Sequence, residues 1–132
     1  DIAEHYGSLD ATIEAGDVVK VGDFHNGKSY ITKATSSYSD VLGVVSTQPY
    51  DSFGKNYGDE HTVPVALVGR VPVKVTNENG AIAIGDYLTS ASLAGHAMKA
   101  TKPGIIIGQA LSSFDGDTAT GAVTVFLNVG WY

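Results

Sequence analysis

The run Val63-Pro-Val-Ala-Leu-Val-Gly-Arg-Val-Pro-Val-Lys-Val75 constrains the fold more than any other stretch. Its odd positions, Val63, Val65, Leu67, Gly69, Val71, Val73 and Val75, are apolar or glycine. Pro64, Arg70, Pro72 and Lys74 take even positions, with Ala66 and Val68 between them. A period of two marks a β-strand with one buried face. At about 3.3 Å per residue the run spans roughly 43 Å, which is long for one strand. Gly69 is therefore expected to bend or bulge it. Pro64 and Pro72 have no N–H to give, so part of the strand must lie at an edge or face a gap in the pairing.

The segments on either side read as two copies of one pattern. Ile82-Ala-Ile-Gly-Asp-Tyr-Leu88 matches Ile13-Glu-Ala-Gly-Asp-Val-Val19, and Met98-Lys-Ala-Thr101 matches Thr32-Lys-Ala-Thr35. Ile106-Ile-Gly-Gln-Ala-Leu111 matches Val41-Leu-Gly-Val-Val-Ser46, and Val125 to Trp131 loosely echoes Val65 to Val71. A tandem β duplication follows, each copy completing the other's core. Asp1 to Tyr6 reads as a short amphipathic lead, Asn26-Gly27 is hairpin chemistry before a returning strand, Tyr30 to Thr35, and Val41 to Val45 reads as another strand. Ser46 to Thr62, with Pro49, Gly54 and Gly58, reads as a long surface loop carrying Tyr50, Phe53 and Tyr57. These aromatics are either an interface or ligand patch, or the loop's own packing. Ser90 to Ala100 has helical propensity, but its counterpart in the first copy is β-branched. Leu93-Ala-Gly95 is thus expected to turn and His96 to Thr101 to form a strand. Asp17 and Asp86 follow Gly16 and Gly85, and read as turn hydrogen-bonding residues.

At 132 residues, 43% of them hydrophobic, with 16 glycines, the chain suits one turn-rich β domain. A formal charge of −6 argues against nucleic acid. The absence of cysteine excludes disulfides and thiolate metal sites. No apolar run has the length of a membrane span, so no membrane partner is expected. Gly22-Asp-Phe-His-Asn-Gly-Lys-Ser29 matches the letters of a phosphate loop, but that loop needs a helix starting at Lys28, and Tyr30 onward is strand-like. A hairpin tip is expected instead. His5, His25, His61 and His96 lack zinc spacing. Asp59-Glu-His61 and Asp115-Gly-Asp117 read as solvated turns rather than calcium loops. No cofactor or metal is expected.

The sharpest local feature is Asp1-Ile-Ala-Glu4. Together with Gly16-Asp-Val-Val19, Leu42-Gly-Val-Val-Ser46 and the valine-rich strand, it resembles the self-cleaving intramolecular-chaperone domain that ends phage neck-appendage and tail-fibre proteins and related bacterial surface proteins. In that family an Asp-x-Ala-Glu motif lies at the processing site, the cut falls just before the Asp, and the Glu serves the hydrolysis. The resemblance implies that Asp1 is a new N-terminus and Glu4 the catalytic carboxylate, with Asp1 itself attacking or protonating as alternatives. A chain beginning at Asp1 without Met is expected to be a processed product or an excised fragment. The resemblance further implies a trimer, an upstream fibre domain in the same polypeptide, and a virion-associated or extracellular surface location. Any enzymatic activity is at most single-turnover autoproteolysis.

The expected fold is all-β, residues 1–132 forming a single domain of two tandem pseudo-repeats, about 13–72 and 82–132. It resembles a β-clip or small barrel with little or no helix. The expected function is that of an intramolecular chaperone that assists a trimeric fibre and is released by self-cleavage. A purely structural β module, such as a capsid decoration protein or surface-filament subunit, is the alternative.

Overall fold

The computed structural model describes residues 1–25, 27–46, 51–53 and 62–132, and is all-β, with no helix among the described residues. The strands are β1 (Ile2–Ser8), β2 (Val18–His25), β3 (Lys28–Lys33), β4 (Gly43–Val45), β5 (Asp51–Phe53), β6 (Thr62–Thr76), β7 (Tyr87–Ser90), β8 (Ala97–Lys99), β9 (Ile105–Ala110) and β10 (Thr120–Trp131). The alternating valine run is β6, unbroken over 15 residues. Gly69 lies at its middle with φ +107°, and the pairing with β1 shifts register between Ile2 and Ala3, opposite this region.

Two closed rings share β6. In the first, β6 joins β4, β4 joins β2, β2 joins β3, β3 joins β1, and β1 returns to β6. In the second, β6 joins β8, then β7, β9 and β10, and β10 returns to β6. Closure of this kind removes the open edges a flat sheet would expose. The pairing senses agree strand for strand. β1–β3 and β6–β8 are parallel, and the other four pairings of each ring are antiparallel. β6 thus plays two parts: Thr62 to Val68 face β1, and Val68 to Thr76 face β10.

The matching sequence segments make matching turns. Gly16 and Gly85 have φ of +90° and +91°. Their N–H groups donate to Val45 O at 2.9 Å and Ala110 O at 2.7 Å. The following aspartates reach back three residues: Asp17 Oδ2 accepts from Glu14 N, and Asp86 Oδ2 from Ala83 N, both at 2.8 Å. Each faces the lysine at the matching place, Lys33 at 4.0 Å and Lys99 at 3.5 Å. Turn chemistry therefore accounts for both aspartates, as their position after glycine implied.

Among the described residues, two apolar clusters form the core. The larger takes Val71, Val73, Val75, Leu88, Ile107, Val125 and Leu127 from the second ring, and also Val18, Val44 and Ala66 from the first. The smaller holds Ile13, Val19, Ile31, Val45, Val63 and Val65. Chain neighbours such as Val18 and Val19, or Val44 and Val45, thus enter opposite clusters. The first ring is covered on its outside by the second, so these short strands are apolar on both faces and lose the period of two. Each fully buried valine or leucine contributes about 1.5–3 kcal/mol.

The prolines of β6 sit where pairing is interrupted. Pro64 accepts from Ser46 N at 2.8 Å, just past the end of β4. Lys74, two residues after Pro72 and so directed to the same side, donates its N–H to Gly16 O at 3.0 Å. The side on which Pro72 lacks a donor is therefore occupied by a turn, between β4 and β8, rather than by a strand.

Three expectations need adjusting. The stretch from Ser46 to Thr62 is not loop throughout, because β5 pairs in parallel with the start of β1. β3 reaches only Gly7 and Ser8 of β1, and β5 supplies partners for the backbone groups earlier in the strand. Phe53 falls in β5, whereas Tyr50 and Tyr57 lie outside the described residues. The strand expected over Val41 to Val45 is confined to Gly43–Val45. The amphipathic lead before Tyr6 is itself strand β1. Leu93 to Gly95 does turn, and the strand expected over His96 to Thr101 follows as the shorter β8, Ala97–Lys99.

Candidate functional site at the N-terminal seam

Ile2 and Asn128 are both opposite Val68, so β1 and β10 lie end to end along one side of β6. Both are antiparallel to β6, and β1 starts where β10 leaves. Past Leu127 the pairing of β10 with β9 shifts register, and Tyr132 closes on Gly104 through hydrogen bonds of 2.8 and 2.9 Å. The N-terminus occupies the seam. A Cβ on Gly69 would lie 2.8 Å from Asp1 Cα and 3.4 Å from Asp1 N. Position 69 thus makes two demands that only glycine satisfies together: a positive φ and a backbone packed against its Cα. The Asp1 carboxylate accepts a hydrogen bond from Ser46 Oγ. Ser46 is buried and anchored at the end of β4 by its own N–H on Pro64 O.

Glu4, half-buried, lies two residues further along β1 than Ile2. It is opposite Val65 of β6 and beside Phe53 of β5. Its Oε2 accepts from Tyr6 Oη at 3.3 Å. His5, between them, approaches Thr62 Oγ1 at 3.4 Å. Of the two residues singled out from the sequence, Glu4 lies in β1 and Asp1 immediately precedes it, and their described hydrogen bonds go to different partners. Chemically, the strand offers a half-buried carboxylate able to take a proton, and a carboxylate held by a serine next to the chain's first amine. General-base work needs the carboxylate within about 3 Å of the proton it removes.

The other motifs resolve into structure. The phosphate-loop letters fall on paired strands β2 and β3, with Phe24 opposite Ser29 and His25 opposite Lys28, and Asn26 lies outside the described residues. Lys28 starts a strand, so no helix N-terminus is there to receive phosphate. Asp117 N donates to Asp115 Oδ1 at 3.0 Å across Gly116, a turn closed on itself. His96 Nδ1 lies 2.8 Å from Ala94 O within its own turn. Asp59, Glu60 and His61 lie outside the described residues. Among the described residues, no three His, Cys, Asp or Glu side chains are grouped as a metal would require.

Surface clefts among the described residues also lie away from the seam. One, about 330 Å³, is lined by Leu9, Tyr30 and Ile31 among others. Another, about 260 Å³, lies beside Tyr87 and Tyr132, whose rings stack with centroids 4.1 Å apart. Burial first, and then the neighbouring Tyr132 hydroxyl, raise the Tyr87 phenol above its ordinary range. Sequence reasoning missed Ser46, which carries no distinguishing pattern. It found Gly69 as a bend without finding its contact with Asp1.

No protein-family model matches the chain, and no curated protein matches it. Among solved structures, the C-terminal fragment of gene product 12 of bacteriophage phi29 is similar over 97% of this chain and 100% of that one, with a TM-score of 0.63 and 16% identity. The N base of head fibre gp8.5 of bacteriophage phi29 is similar over 96% of this chain and 92% of that one, with a TM-score of 0.58 and 16% identity. At such identity the likeness establishes the fold.

Proposed function

We propose that the chain is an assembly module of a bacteriophage fibre. It folds as one domain of two pseudo-repeats, about 13–72 and 82–132, associates as a trimer, and is released from upstream fibre sequence by a cut before Asp1. The observation that carries this reading is the end-to-end likeness to the gene product 12 C-terminal fragment, covering 97% of this chain and all of that one. Such a module is virion-associated. In the cut, water adds to the carbonyl carbon of the residue before Asp1, and the C–N bond to Asp1 breaks. Glu4 takes one proton from the water and returns it to the leaving Asp1 nitrogen. The second proton of the water passes from the new carboxyl to the freed amine, so the products are a carboxylate upstream and a protonated amine on Asp1, with one water consumed. One chain performs this once.

The test is a chain carrying residues upstream of Asp1. Mass spectrometry is expected to find scission at Asp1, abolished by Glu4→Gln, and native mass spectrometry a trimer. Co-folding Glu4→Gln chains with unsubstituted ones tells whether the carboxylate acts within its own chain or on a neighbour in the trimer, because the variant chain is cut only when a neighbour supplies it. An uncut monomer would overturn the proposal.

A second reading, a structural module without self-cleavage, is favoured by one specific observation. Asp1 and Glu4 hydrogen-bond to different partners, Ser46 and Tyr6. The likeness to a head-fibre base fits that reading equally well. A stable oligomer that remains uncut with its upstream sequence intact would select it.

A further inference from the structure

We infer that Gly69 and Ser46 are positioning residues for the peptide bond before Asp1. The inference rests on the scission proposed above, and names the groups that hold the bond to be cut. A chain entering β1 from upstream cannot continue along β6 past Val68, because β10 already pairs there, with Leu127 opposite Gly69 and Phe126 opposite Arg70. It must leave the sheet at the seam. Gly69 makes room for that departure, since Asp1 Cα occupies the space a side chain at 69 would fill. Ser46 fixes the side chain of the residue that follows the bond, holding the Asp1 carboxylate by its hydroxyl.

The seat is assembled from distant parts of the chain. Ser46 follows β4, which pairs with both β2 and β6. Gly69 is where β6 passes from one ring to the other. Both contacts need β1 paired on β6, and that of Ser46 needs β4 paired there as well. The bond before Asp1 is thus held in a fixed direction only in the folded molecule, which makes the cut report on folding.

The experiment uses the upstream-extended chain and follows both scission rate and product mass, with Ser46→Ala, Ser46→Thr and Gly69→Ala beside the unsubstituted protein. Ser46→Ala is expected to slow the cut by roughly 10- to 100-fold, as misplacement of a reacting bond does, while Ser46→Thr keeps most of the rate. Gly69→Ala is expected to slow it at least as much. Should that variant fold poorly, the Ser46 pair still decides. In a Glu4→Gln background, limited proteolysis of the junction reads the seat without any self-cleavage. There Ser46→Ala is expected to raise susceptibility at Asp1 by a similar factor. Unchanged scission and unchanged proteolysis in Ser46→Ala and Gly69→Ala would overturn the inference. An unsubstituted chain that is never cut, but whose junction loosens in these variants, would overturn the scission proposal and leave the seat standing.

Discussion

Lys74 Nζ lies 2.9 Å from Asp17 Oδ1, an ion pair between the shared strand β6 and the turn that leads into β2. Asp17 is 1% exposed, whereas its counterpart Asp86 is 24% exposed and has Lys99 at 3.5 Å. Breaking a buried pair on one side strands a charge, at a cost of about 3–5 kcal/mol, while an exposed pair is worth about 0–1 kcal/mol. Lys74→Met is therefore expected to destabilise the protein by several kcal/mol, and Lys99→Met by less than about 1 kcal/mol. Urea unfolding of the two variants checks the difference. Equal losses would mean that Lys33 alone suffices for Asp17.

Gly43 and Gly108 occupy the same place in the two rings and are closed by the same obstacle. A Cβ on Gly43 would come 2.2 Å from Ala66 O, and one on Gly108 would come 2.0 Å from Phe126 O. Both obstacles are backbone of the next strand, which cannot swing aside. Gly43→Ala and Gly108→Ala are each expected to cost at least 1–3 kcal/mol, about the range for overpacking. Thermal melts test this, with Gly130→Ala as the open-space comparison, since a Cβ there would meet nothing within 4 Å beyond its chain neighbours and its φ is not positive.

Tyr38 fastens a loop of the first ring to the second. Its hydroxyl accepts from Thr101 N at 2.8 Å and Lys102 N at 3.2 Å, and its ring centroid lies 4.8 Å from Lys102 Nζ. Burial pushes its phenol up, but those amide donors and the Lys102 charge outweigh it and lower the pKa. Tyr38→Phe removes the acceptor and keeps the ring, so it is expected to cost about 1–2 kcal/mol. Hydrogen exchange is expected to quicken at Thr101 and Lys102 while the core of β10 stays protected. Loss of protection throughout would mean that the loop is part of the global folding unit.

The parts of this fold that sequence could disclose are those where backbone geometry restricts the residue. Gly16 and Gly85 need a positive φ, and Gly43 and Gly108 need the absence of a Cβ, so the repeat is written in glycines. The strand β6 was legible because its alternation spans the whole element. What was hidden depends on pairing at long range, which leaves no letter behind. Nothing in Ile2 to Ser8 announces that β1 closes the first ring. Ser46 is one serine among many, and Lys74 looks like any outward-facing residue of a strand. Asp1 and Glu4 were conspicuous as a motif, but their different partners, Ser46 and Tyr6, became visible only in the folded chain.

The same ionic cluster sets the expected pH dependence. Glu14 is held below its ordinary pKa of 4.5, first by the hydrogen bond from Lys74 and then by that lysine's charge. Asp10 is held below 3.8 by its hydrogen bonds with Thr12. Burial works to lower Lys74, but the Glu14 and Asp17 carboxylates outweigh it and raise it above 10.5. A carboxylate with a depressed folded pKa stabilises above its unfolded value, and that contribution is lost as pH falls through the folded one. A lysine with a raised folded pKa stabilises below its unfolded value, and loses this as pH rises through the folded one. The melting temperature is therefore expected to be level between the two limits, to fall below about pH 4.5 and to fall again above about pH 10.5. The acid limb is shallow, since Glu14 is exposed and its pair with Lys74 is screened by salt. Lys74→Met is expected to remove the Glu14 part of the acid limb and leave the Asp10 part, which depends on Thr12. Melts at low and high salt, with and without the substitution, separate them; an acid limb unchanged by Lys74→Met would assign it to Asp10 and other carboxylates instead.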